Sequence, residues 1–301
     1  MTHKSEVQLL FNNAILPEEK AVYDPRSSNQ FYIEIEIMSG CFGSVDVISM
    51  GDHKIARKAP RSDGNDEYFP IEEEIFIHSS LQHVNIVPFI GYTEHNRSLC
   101  LLTHFCQEGS LDLFLQKYAF PIVSNNHQIS YTEVRIPPKD DSFEIPLTNA
   151  GLIEFAAQIA NGLVYLHRQN ISHNDLFPKN ILLTKDLICQ IADFGFSRRL
   201  NKYGEYRRIN EEELKRILCN PQEHDANQPI LCPNEMYSKI RSSWDPISDQ
   251  RPSALNWRNY LCSYLEEHFK PKHDRMKAKL AEEVTRQETL FEQIDVICRE
   301  V

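Results

Sequence analysis

Five groups of residues along the chain are suited to binding phosphates and divalent cations, through backbone or side-chain atoms. They occur in a fixed order. A glycine turn offers backbone N–H donors to phosphate oxygens without a side-chain clash. An ammonium fixed by a carboxylate offsets phosphate charge, and carboxylate and amide oxygens are ligands of Mg²⁺. The residues are the glycines of GCFGSV (Gly40 and Gly43), Lys58 in IARK, Glu74, Asp175 and Asn180 in HNDLFPKN, and Asp193 in DFG.

The first third of the chain is predicted to consist mainly of strands. Alternation in FYIEIEIMSGCFGSVDVIS predicts two strands joined by a glycine turn. Residues 70–82 predict a helix, and the runs VNIVPFIGY and SLCLLTHF predict two further strands. Strands therefore dominate to about residue 106.

Beyond Ser110 the pattern becomes helical. SLDLFLQKY predicts a short helix, and residues 118–147 indicate an exposed insert because they are rich in Pro, Asn, Ser and Asp. Residues 148–169 predict a long helix, in which apolar side chains spaced by three and four are expected to share a buried face: Leu152, Phe155, Ile159, Leu163 and Leu166. The tail is also predicted to be helical, with a stripe of Met276, Leu280, Val284, Leu290, Ile294 and Ile297.

The ordered series resembles that of the protein-kinase family, from about residue 30 to about residue 270. Each motif alone is more often structural, and the order of the motifs carries the resemblance. It implies an α+β, two-lobed fold with a small β-rich lobe and a larger, mainly helical lobe. The expected organisation is an N-terminal extension (1–30), a small lobe and hinge (31–106), a large lobe (107–270) with the insert 118–147, and a helical tail (271–301).

The resemblance assigns a role to each residue of the series. It implies that Lys58, fixed by Glu74, contacts the phosphates of ATP, and that Asp175 takes the proton of the acceptor hydroxyl. Asn180 and Asp193 match the positions that hold Mg²⁺. The residues that it implies for ATP binding are Gly40, Phe42, Gly43, Val45, Ala56, Lys58, Thr103, Phe105 and Leu182.

Several features resemble the receptor-type tyrosine-kinase branch. Thr103 stands at the gatekeeper position, and the insert 118–147 resembles the kinase insert of receptor tyrosine kinases. Lys179 is a basic residue four places after Asp175, where tyrosine kinases usually carry arginine, while Phe177 occupies the position at which serine/threonine kinases carry lysine. The Gly-Ser-Leu helix start and the late helix pair add Gly109, Trp244, Arg251 and Pro252 as landmarks. Protein tyrosine is the substrate that this implies.

Three single residues depart from the family's pattern. Met38 replaces the first glycine of the loop. Asn174 replaces the arginine that normally binds the phosphorylated activation loop, so phosphorylation control of the usual kind is not expected. His78 stands four places after Glu74, where the family prefers an apolar residue linking the lobes. A neutral buried histidine fits this position better than a metal ligand.

A larger departure follows Asp193. Only 58 positions separate it from Arg251, whereas a complete domain of this family needs roughly a hundred. The large lobe is therefore interpreted as truncated after about residue 209, without the end of the activation loop, the peptide-docking loop and the central apolar helix. Arg251 would then lack its family partner, the glutamate of an Ala-Pro-Glu triplet. Since such a helix contributes on the order of 10 kcal/mol of apolar burial, the lobe must repack, bind a partner or fold poorly.

Composition and charge narrow the function classes. The chain has 301 residues and a formal net charge of -11, which argues against a general nucleic-acid binder. Its eight cysteines form no CxxC pair, so most are expected to be small buried side chains in a reducing compartment. The sequence shows neither a signal peptide nor a run of apolar residues long enough to cross a bilayer. A cytoplasmic location is the resulting prediction.

Three interpretations follow. The first is an enzyme that transfers phosphate from Mg-ATP to protein tyrosine, with low activity because the docking segment is missing. The second is a pseudokinase or scaffold that keeps the nucleotide pocket and binds a regulatory protein partner. The third is a splice form or an incomplete gene model of a complete kinase.

Overall fold

The computed structural model describes residues 33–40, 43–50, 53–60, 71–95, 98–118, 122–123, 129–130, 134–136, 145–147, 149–200, 232–245 and 247–299. The predicted extension (1–30), most of the insert and the stretch from 201 to 231 lie outside these residues.

A five-stranded antiparallel sheet forms the small lobe. Its strands are β1 (Ile33–Gly40), β2 (Gly43–Met50), β3 (His53–Ala59), β4 (Phe89–His95) and β5 (Ser98–His104), in the order β1-β2-β3-β5-β4. Helix α1 (Ile71–Ser79) precedes β4 and packs Ile75 against Phe89 and Leu101 of the sheet. The strands and the helix predicted for this part of the chain are confirmed.

Strand β4 begins later than the predicted run VNIVPFIGY because the first residues of that run bond to the large lobe. The amide of Ile191 donates to the carbonyl of Asn85 at 2.9 Å, and the amide of Val87 donates to the carbonyl of Ile191 at 3.0 Å. A segment that reads as a strand of the small lobe therefore joins the two lobes.

Short strands and two helices form the first part of the large lobe. The elements, in chain order, are β6 (Gly109–Ser110), α2 (Leu111–Tyr118), β7 (Ile122–Val123), β8 (Ile129–Ser130), β9 (Val134–Ile136), β10 (Ile145–Leu147), α3 (Asn149–Arg168), β11 (Ile171–Ser172), β12 (Ile181–Leu183), β13 (Cys189–Ile191) and β14 (Arg198–Arg199). Strands β7 and β8 pair, as do β9 and β10, so the predicted insert contains two antiparallel pairs. The main core of the lobe gathers on α3 and the strands β11 to β13.

Helix α3 is buried on more than the predicted face. Phe155 and Leu166 are buried as predicted, but Leu152 is 39% exposed, so its assignment to the buried face was wrong. The polar side chain of Gln158 is instead 1% exposed, and its Oε1 accepts from the amide of Cys189 at 2.8 Å. Because strands cover one side of α3 and a later helix covers another, apolar periodicity alone did not identify its full contact surface.

Three helices follow: α4 (Asn234–Ser242), α5 (Ala254–His268) and α6 (Lys270–Arg299). Helix α5 begins at a capping box, in which Ser253 Oγ accepts from the amide of Asn256 and Asn256 Oδ1 accepts from the amide of Ser253. It packs against α3 in a cluster of Ala157, Ala160, Met236, Leu261, Leu265 and Met276. The described part of the large lobe thus buries the far side of α3 under its last helices.

The predicted α+β, two-lobed architecture is confirmed. Within the described residues, six α-helices and one small antiparallel sheet lobe make up an incomplete two-lobed fold. Cys100, Cys106 and Cys189 are buried, and none of the described cysteines is in a disulfide. The prediction that the cysteines are small buried side chains is confirmed for these three.

Candidate functional site

Four of the predicted pocket residues share one face of the small-lobe sheet. Val45 lies opposite Lys58, and Ala56 lies opposite Thr103 in the strand register. Directly opposed residues point to the same side of a sheet, and residues two apart on one strand do so as well. Val45, Ala56, Lys58 and Thr103 therefore line the same face, towards α1 and the large lobe.

Lys58 joins this face to both α1 and the large lobe. Its Nζ donates to Glu74 Oε1 at 3.0 Å, to Glu74 Oε2 at 2.8 Å and to Asp193 Oδ1 at 2.8 Å. Strand β3 supplies the lysine, α1 supplies the first carboxylate, and the segment after β13 supplies the second. The structure thus brings together three residues that the sequence places 16 and 135 positions apart.

Burial and charge act in opposite directions on this cluster. Burial opposes the cation, but the carboxylates of Glu74 and Asp193 outweigh it and raise the pKa of Lys58. Burial raises the pKa of Glu74 despite the neighbouring ammonium, since its side chain is only 4% exposed. Burial also opposes the charge of Asp193, but the Lys58 ammonium prevails and lowers the pKa of that carboxyl. The arrangement keeps Lys58 cationic and Asp193 ionised.

A loop after β11 holds Asp175 beside Asn180. Asn180 Nδ2 donates to both the backbone carbonyl and Oδ2 of Asp175, each at 2.8 Å. Lys179 Nζ lies 3.4 Å from the same Oδ2. A 3₁₀ turn over Pro178–Asn180, with proline at its start, fixes this spacing. The carboxylate of Asp175 is therefore oriented by neighbours five residues or fewer away in sequence.

Four rings connect the small lobe to this loop. Phe89, His78, Phe194 and His173 follow one another with centroid distances of 5.7, 4.7 and 5.2 Å. His78 Nε2 donates to the carbonyl of Val87 at 2.7 Å, and His78 is 2% exposed. The expected buried histidine is thus confirmed at this position, and its ring contacts Phe194, which is fully buried.

His173 carries its proton on one defined ring nitrogen. Its Nε2 donates to the carbonyl of Ala192 at 3.0 Å, and its Nδ1 accepts from the amide of Asp175 at 3.3 Å. Burial lowers the pKa of His173, which favours the neutral ring that this pattern requires. The neutral imidazole therefore links the loop of Asp175 to the segment of Asp193.

Asn174 fits its backbone conformation and bonds to the segment that follows Asp193. Its φ is 64°, in the left-handed region that asparagine tolerates better than most residues. Its Oδ1 accepts from Ser172 Oγ, and its Nδ2 donates to the carbonyl of Phe196 at 3.0 Å. The pairing of β11 with β14 extends the same junction. An uncharged side chain thus fastens the two loops directly.

Two asparagines that were not predicted from the sequence hold β13 in place. Asn85 Nδ2 donates to the carbonyl of Cys189 at 2.9 Å, and Asn161 Nδ2 donates to Asn85 Oδ1 at 2.9 Å. Asn85 is fully buried and lies two residues after His83, so only its tertiary contacts reveal its role. These amides fix the strand that leads into Asp193.

Of the remaining predicted residues, those that the structure describes lie at strand ends or in short paired strands. Gly40 pairs with Gly43 at the end of β1 and β2, so the predicted glycine turn is present, while Phe42 lies outside the described residues. Phe105 follows β5 and is half-buried. Leu182 lies opposite Ser110 in the pairing of β12 with β6, next to the segment that follows the hinge.

The donor set at Asn180 and Asp193 fits Mg²⁺. The amide nitrogen of Asn180 is used by Asp175, which leaves the amide oxygen as the cation ligand, and Asp193 contributes a carboxylate. Mg²⁺ is commonly held by one or two such side chains together with phosphate oxygens. No group of three or more His, Cys, Asp or Glu suited to a metal occurs in the described part of the chain.

The chain is similar in sequence to a known protein family and to known receptors. A family model described as protein tyrosine and serine/threonine kinase matches residues 32–221. A fibroblast growth factor receptor of Ciona intestinalis is 32% identical over 133 residues, which cover 44% of this chain and 17% of the receptor. A fibroblast growth factor receptor of Halocynthia roretzi is 30% identical over 141 residues, covering 44% of this chain and 18% of the receptor.

The chain thus spans less than a fifth of the length of these two receptors. Across the residues that the structure describes, no helix is both long and apolar enough to span a membrane.

Proposed function

The chain belongs to the family of protein tyrosine and serine/threonine kinases, and from this premise we propose that it binds Mg-ATP and transfers the γ-phosphoryl group to a tyrosine of a protein substrate. The observation that carries the proposal is the double ion pair of Lys58 with Glu74 and Asp193. It places a cation fixed by one carboxylate beside a second carboxylate suited to a metal ion.

The nucleotide is proposed to bind between the pocket face of the sheet and β12. Val45, Ala56 and Thr103 offer small or β-branched side chains to a flat base, and Leu182 faces them from the large lobe. The chain at Phe105 offers backbone groups at the hinge. Gly40 and Gly43 stand at the ends of β1 and β2, and the turn between them, with Phe42, is proposed to cover the phosphates, since glycine allows backbone N–H groups to approach them closely.

The chain's own residues then orient the reacting groups. Lys58 donates to phosphate oxygens, while Glu74 keeps its ammonium in place. Asn180 and Asp193 would hold Mg²⁺, which would supply positive charge to offset that of the phosphate oxygens. The tyrosine oxygen forms a bond to the γ-phosphorus as the bond from that phosphorus to the β–γ bridging oxygen breaks, and ADP leaves. Asp175 takes the phenolic proton, while Asn180 and Lys179 hold its carboxylate.

Turnover is expected to be low. Only 58 positions lie between Asp193 and Arg251, so the loop that would hold a peptide against Asp175 is proposed to be missing. Phosphoryl transfer depends mainly on positioning, and misplacing the acceptor by about 1 Å can cost on the order of a hundredfold in rate. The cytoplasm is the proposed location, because ATP and protein tyrosine are both available there.

A nucleotide-binding module with little catalysis is the second candidate. The same short interval after Asp193 favours it, because a pocket can persist without a docking surface. The bond from Asn174 to Phe196 also favours it, since it fastens the segment after Asp193 without a phosphate. Its function would be to bind a regulatory protein partner in a nucleotide-dependent way.

A thermal-shift titration with Mg-ATP tests the pocket that both candidates share. At a ligand concentration one hundred times Kd, binding stabilises the folded chain by about 2.7 kcal/mol. Lys58→Met and Asp193→Ala are each expected to shrink the shift. Lys54→Met is the matched control, because Lys54 is an exposed lysine of the same strand. A full shift in both pocket variants would place the nucleotide elsewhere and overturn the proposal.

Phosphate transfer to a tyrosine peptide separates the two candidates. Slow transfer that disappears in Asp175→Asn supports the enzyme. Mg-ATP binding without transfer above the level of Asp175→Asn supports the nucleotide-binding module. A turnover near 1 per second, within the usual range of about 1–100 per second for kinases, would contradict the expected effect of the missing docking loop.

A further inference from the structure

Helix α6 lies beyond residue 221, where the family match ends, and it contacts both lobes. Its first half is bound to the large lobe. Lys272 Nζ lies 3.0 Å from Glu154 Oε2, and Met276 packs in the cluster of α3 and α5. Further along, Lys279 Nζ donates to the carbonyl of Asp186 at 3.2 Å. These contacts fix the helix on the turn between β12 and β13.

The second half of α6 covers the small-lobe sheet. Leu290 and Ile294 pack in one buried cluster with Ile48, Ile55 and Leu102. Ile48 lies opposite Ile55 in the register, and Leu102 lies opposite Arg57, which is two residues from Ile55. These residues alternate with Val47, Ala56 and Thr103, so α6 occupies the face of the sheet opposite to Lys58.

Polar side chains replace apolar ones where α6 crosses between the lobes. The buried residues of the helix follow a spacing of three and four that passes through Glu283 and Gln287, which are 2% and 8% exposed. Val284, the predicted member of the stripe, is 42% exposed, so that assignment was wrong. An apolar pair would bury more apolar surface at no electrostatic cost, whereas a buried carboxylate is costly unless it is hydrogen-bonded. The two polar residues therefore require a specific set of partners.

The hydrogen bonds around these two residues link α6 to three other segments of the chain. Glu283 Oε1 accepts from Gln190 Nε2 at 3.1 Å and from Gln287 Nε2 at 3.3 Å. The same two amide nitrogens lie 3.4 Å from the carbonyl of Val84, and Cys106 Sγ donates to Gln190 Oε1 at 3.3 Å. One buried hub thus joins α6 to β13, to the segment before β4 and to the hinge.

Arg286 ties the hub to the large lobe. Its Nη1 lies 2.6 Å from Glu283 Oε2 and 2.8 Å from Asp186 Oδ2. Burial raises the pKa of Glu283, and the Arg286 guanidinium opposes this shift. The Glu283 carboxylate is thus held by one cation and two amide groups. These contacts fix the position of α6 relative to β13.

We propose that α6 is an interlobe brace and that Glu283 is a positioning residue for β13, the strand that leads into Asp193. Gln190 stands three residues before Asp193, and the neighbouring Ile191 makes the backbone bonds that connect the lobes. By fixing Gln190 against α6, Glu283 holds this strand at the spacing that lets Asp193 reach Lys58 on the other lobe. The brace sets the separation of the lobes whether or not a nucleotide is bound.

Hydrogen exchange measured on the nucleotide-free, full-length chain tests the brace independently of nucleotide binding. In Glu283→Ala, the amides of Val87 and Ile191 are expected to exchange about tenfold faster, because opening of the interlobe bonds requires less free energy. Glu283→Gln keeps an oxygen that can accept from Gln190 and is expected to preserve most of the protection. Glu282→Ala and Glu288→Ala are matched controls, since both glutamates are exposed on the same helix.

Ile294→Ala provides a second test that leaves the hub intact. It removes a contact between α6 and the small lobe, and it is expected to accelerate exchange at the same two amides. If Glu283→Ala does not fold, Ile294→Ala and Glu283→Gln still decide the matter. Unchanged exchange at Val87 and Ile191 in Glu283→Ala or, if that variant does not fold, in Ile294→Ala would overturn the proposal, and so would equal acceleration in Glu282→Ala. Acceleration confined to the interlobe amides supports it, even if the chain binds no nucleotide.

Discussion

The two faces of the small-lobe sheet are completed by very different parts of the chain. The pocket face carries Val45, Ala56, Lys58 and Thr103, whose residue types match a family motif at each position. The opposite face is covered by Leu290 and Ile294, which lie almost at the end of the chain. The pocket face could be recognised because chemistry restricts its residues, whereas the covered face needs only apolar side chains that fit.

The loop of Asp175 and the helices that support it differ in the same way: the loop matches a motif, whereas the helices are fitted by packing. The loop is stabilised by contacts among neighbours, such as Asn180 with Asp175. The far side of α3 is instead covered by α5, which begins about 85 residues after α3 ends. The stability of the supporting helices is therefore more sensitive to changes in packing. The loop of Asp175 is more sensitive to changes in charge and backbone conformation.

The largest loss of stability is expected from the packing of α5 on α3. Leu265 is fully buried in the cluster that joins α3, α4, α5 and α6. Leu265→Ala is expected to cost about 2–5 kcal/mol of unfolding free energy, measured by urea denaturation. Leu255→Ala, in the exposed first turn of the same helix, is the control. Equal small effects of both changes would mean that α5 does not support α3.

A smaller loss is expected where α3 approaches the segment before β4. A Cβ at Gly162 would lie 2.8 Å from Ile191 Cδ1 and 3.0 Å from the backbone oxygen of Asn85. That oxygen is held in place because it accepts from the amide of Ile191. Gly162→Ala gains about 1 kcal/mol of helix propensity, yet it is expected to destabilise the chain by about 1–3 kcal/mol through overpacking. If denaturant titration showed the variant to be stabilised, the packing of Gly162 against Ile191 and Asn85 would be less tight than the structure indicates.

Acid is expected to weaken the junction of the lobes. Burial lowers the pKa of His83 to about 4, and burial, with the charges of His53 and Arg286, lowers that of His104 to about 4. Between pH 4 and the ordinary value of 6.5, the unfolded chain binds more protons than the folded chain at these sites. The unfolding free energy should therefore fall as the pH is lowered through this window.

The measurement is the melting temperature at a series of pH values. His83→Gln should flatten the profile between pH 6.5 and 4. Parallel profiles for the original chain and this variant would assign the acid sensitivity to other groups.

The smallest effect is expected at Asn174, where the backbone is left-handed. Asn174→Gly keeps access to a φ of 64°, and Asn174→Ala does not. Alanine is expected to be less stable than glycine by about 1 kcal/mol, although both remove the bond to Phe196. Exchange of the amides from Ser197 to Leu200 should rise in both variants. A glycine variant as unstable as the alanine variant would remove backbone strain as the cause.

The elements of the cleft were predictable because each has a local signal. Glycines marked the turn between β1 and β2, alternation marked the strands, and the order of Lys58, Glu74 and Asp193 indicated a phosphate site. The buried state of His78 also followed from its place four residues after Glu74. Local rules failed at Leu152 and Val284, because a helix that contacts several elements buries residues outside its apolar stripe.

Arg251 gives a further example of what local sequence did not show. The sequence predicts that it lacks its family partner, the glutamate of an Ala-Pro-Glu triplet, and in the structure its Nε donates to the carbonyl of Asp245 at 2.6 Å. A backbone carbonyl can replace a carboxylate as acceptor without any change in the motif. The long-range partner of a side chain is therefore a property of the folded chain.

The sequence by itself determined the family and the two-lobed fold, and it predicted which residues would face the phosphates, because the chemistry of a nucleotide site restricts which residue types can occupy it. Only the tertiary structure decided that Asn85 holds β13, that α5 covers α3, and that α6 joins the lobes through Glu283. These contacts depend on shape, burial and the pairing of amide groups across long intervals of sequence. Many sequences satisfy such requirements, so no short pattern reports them.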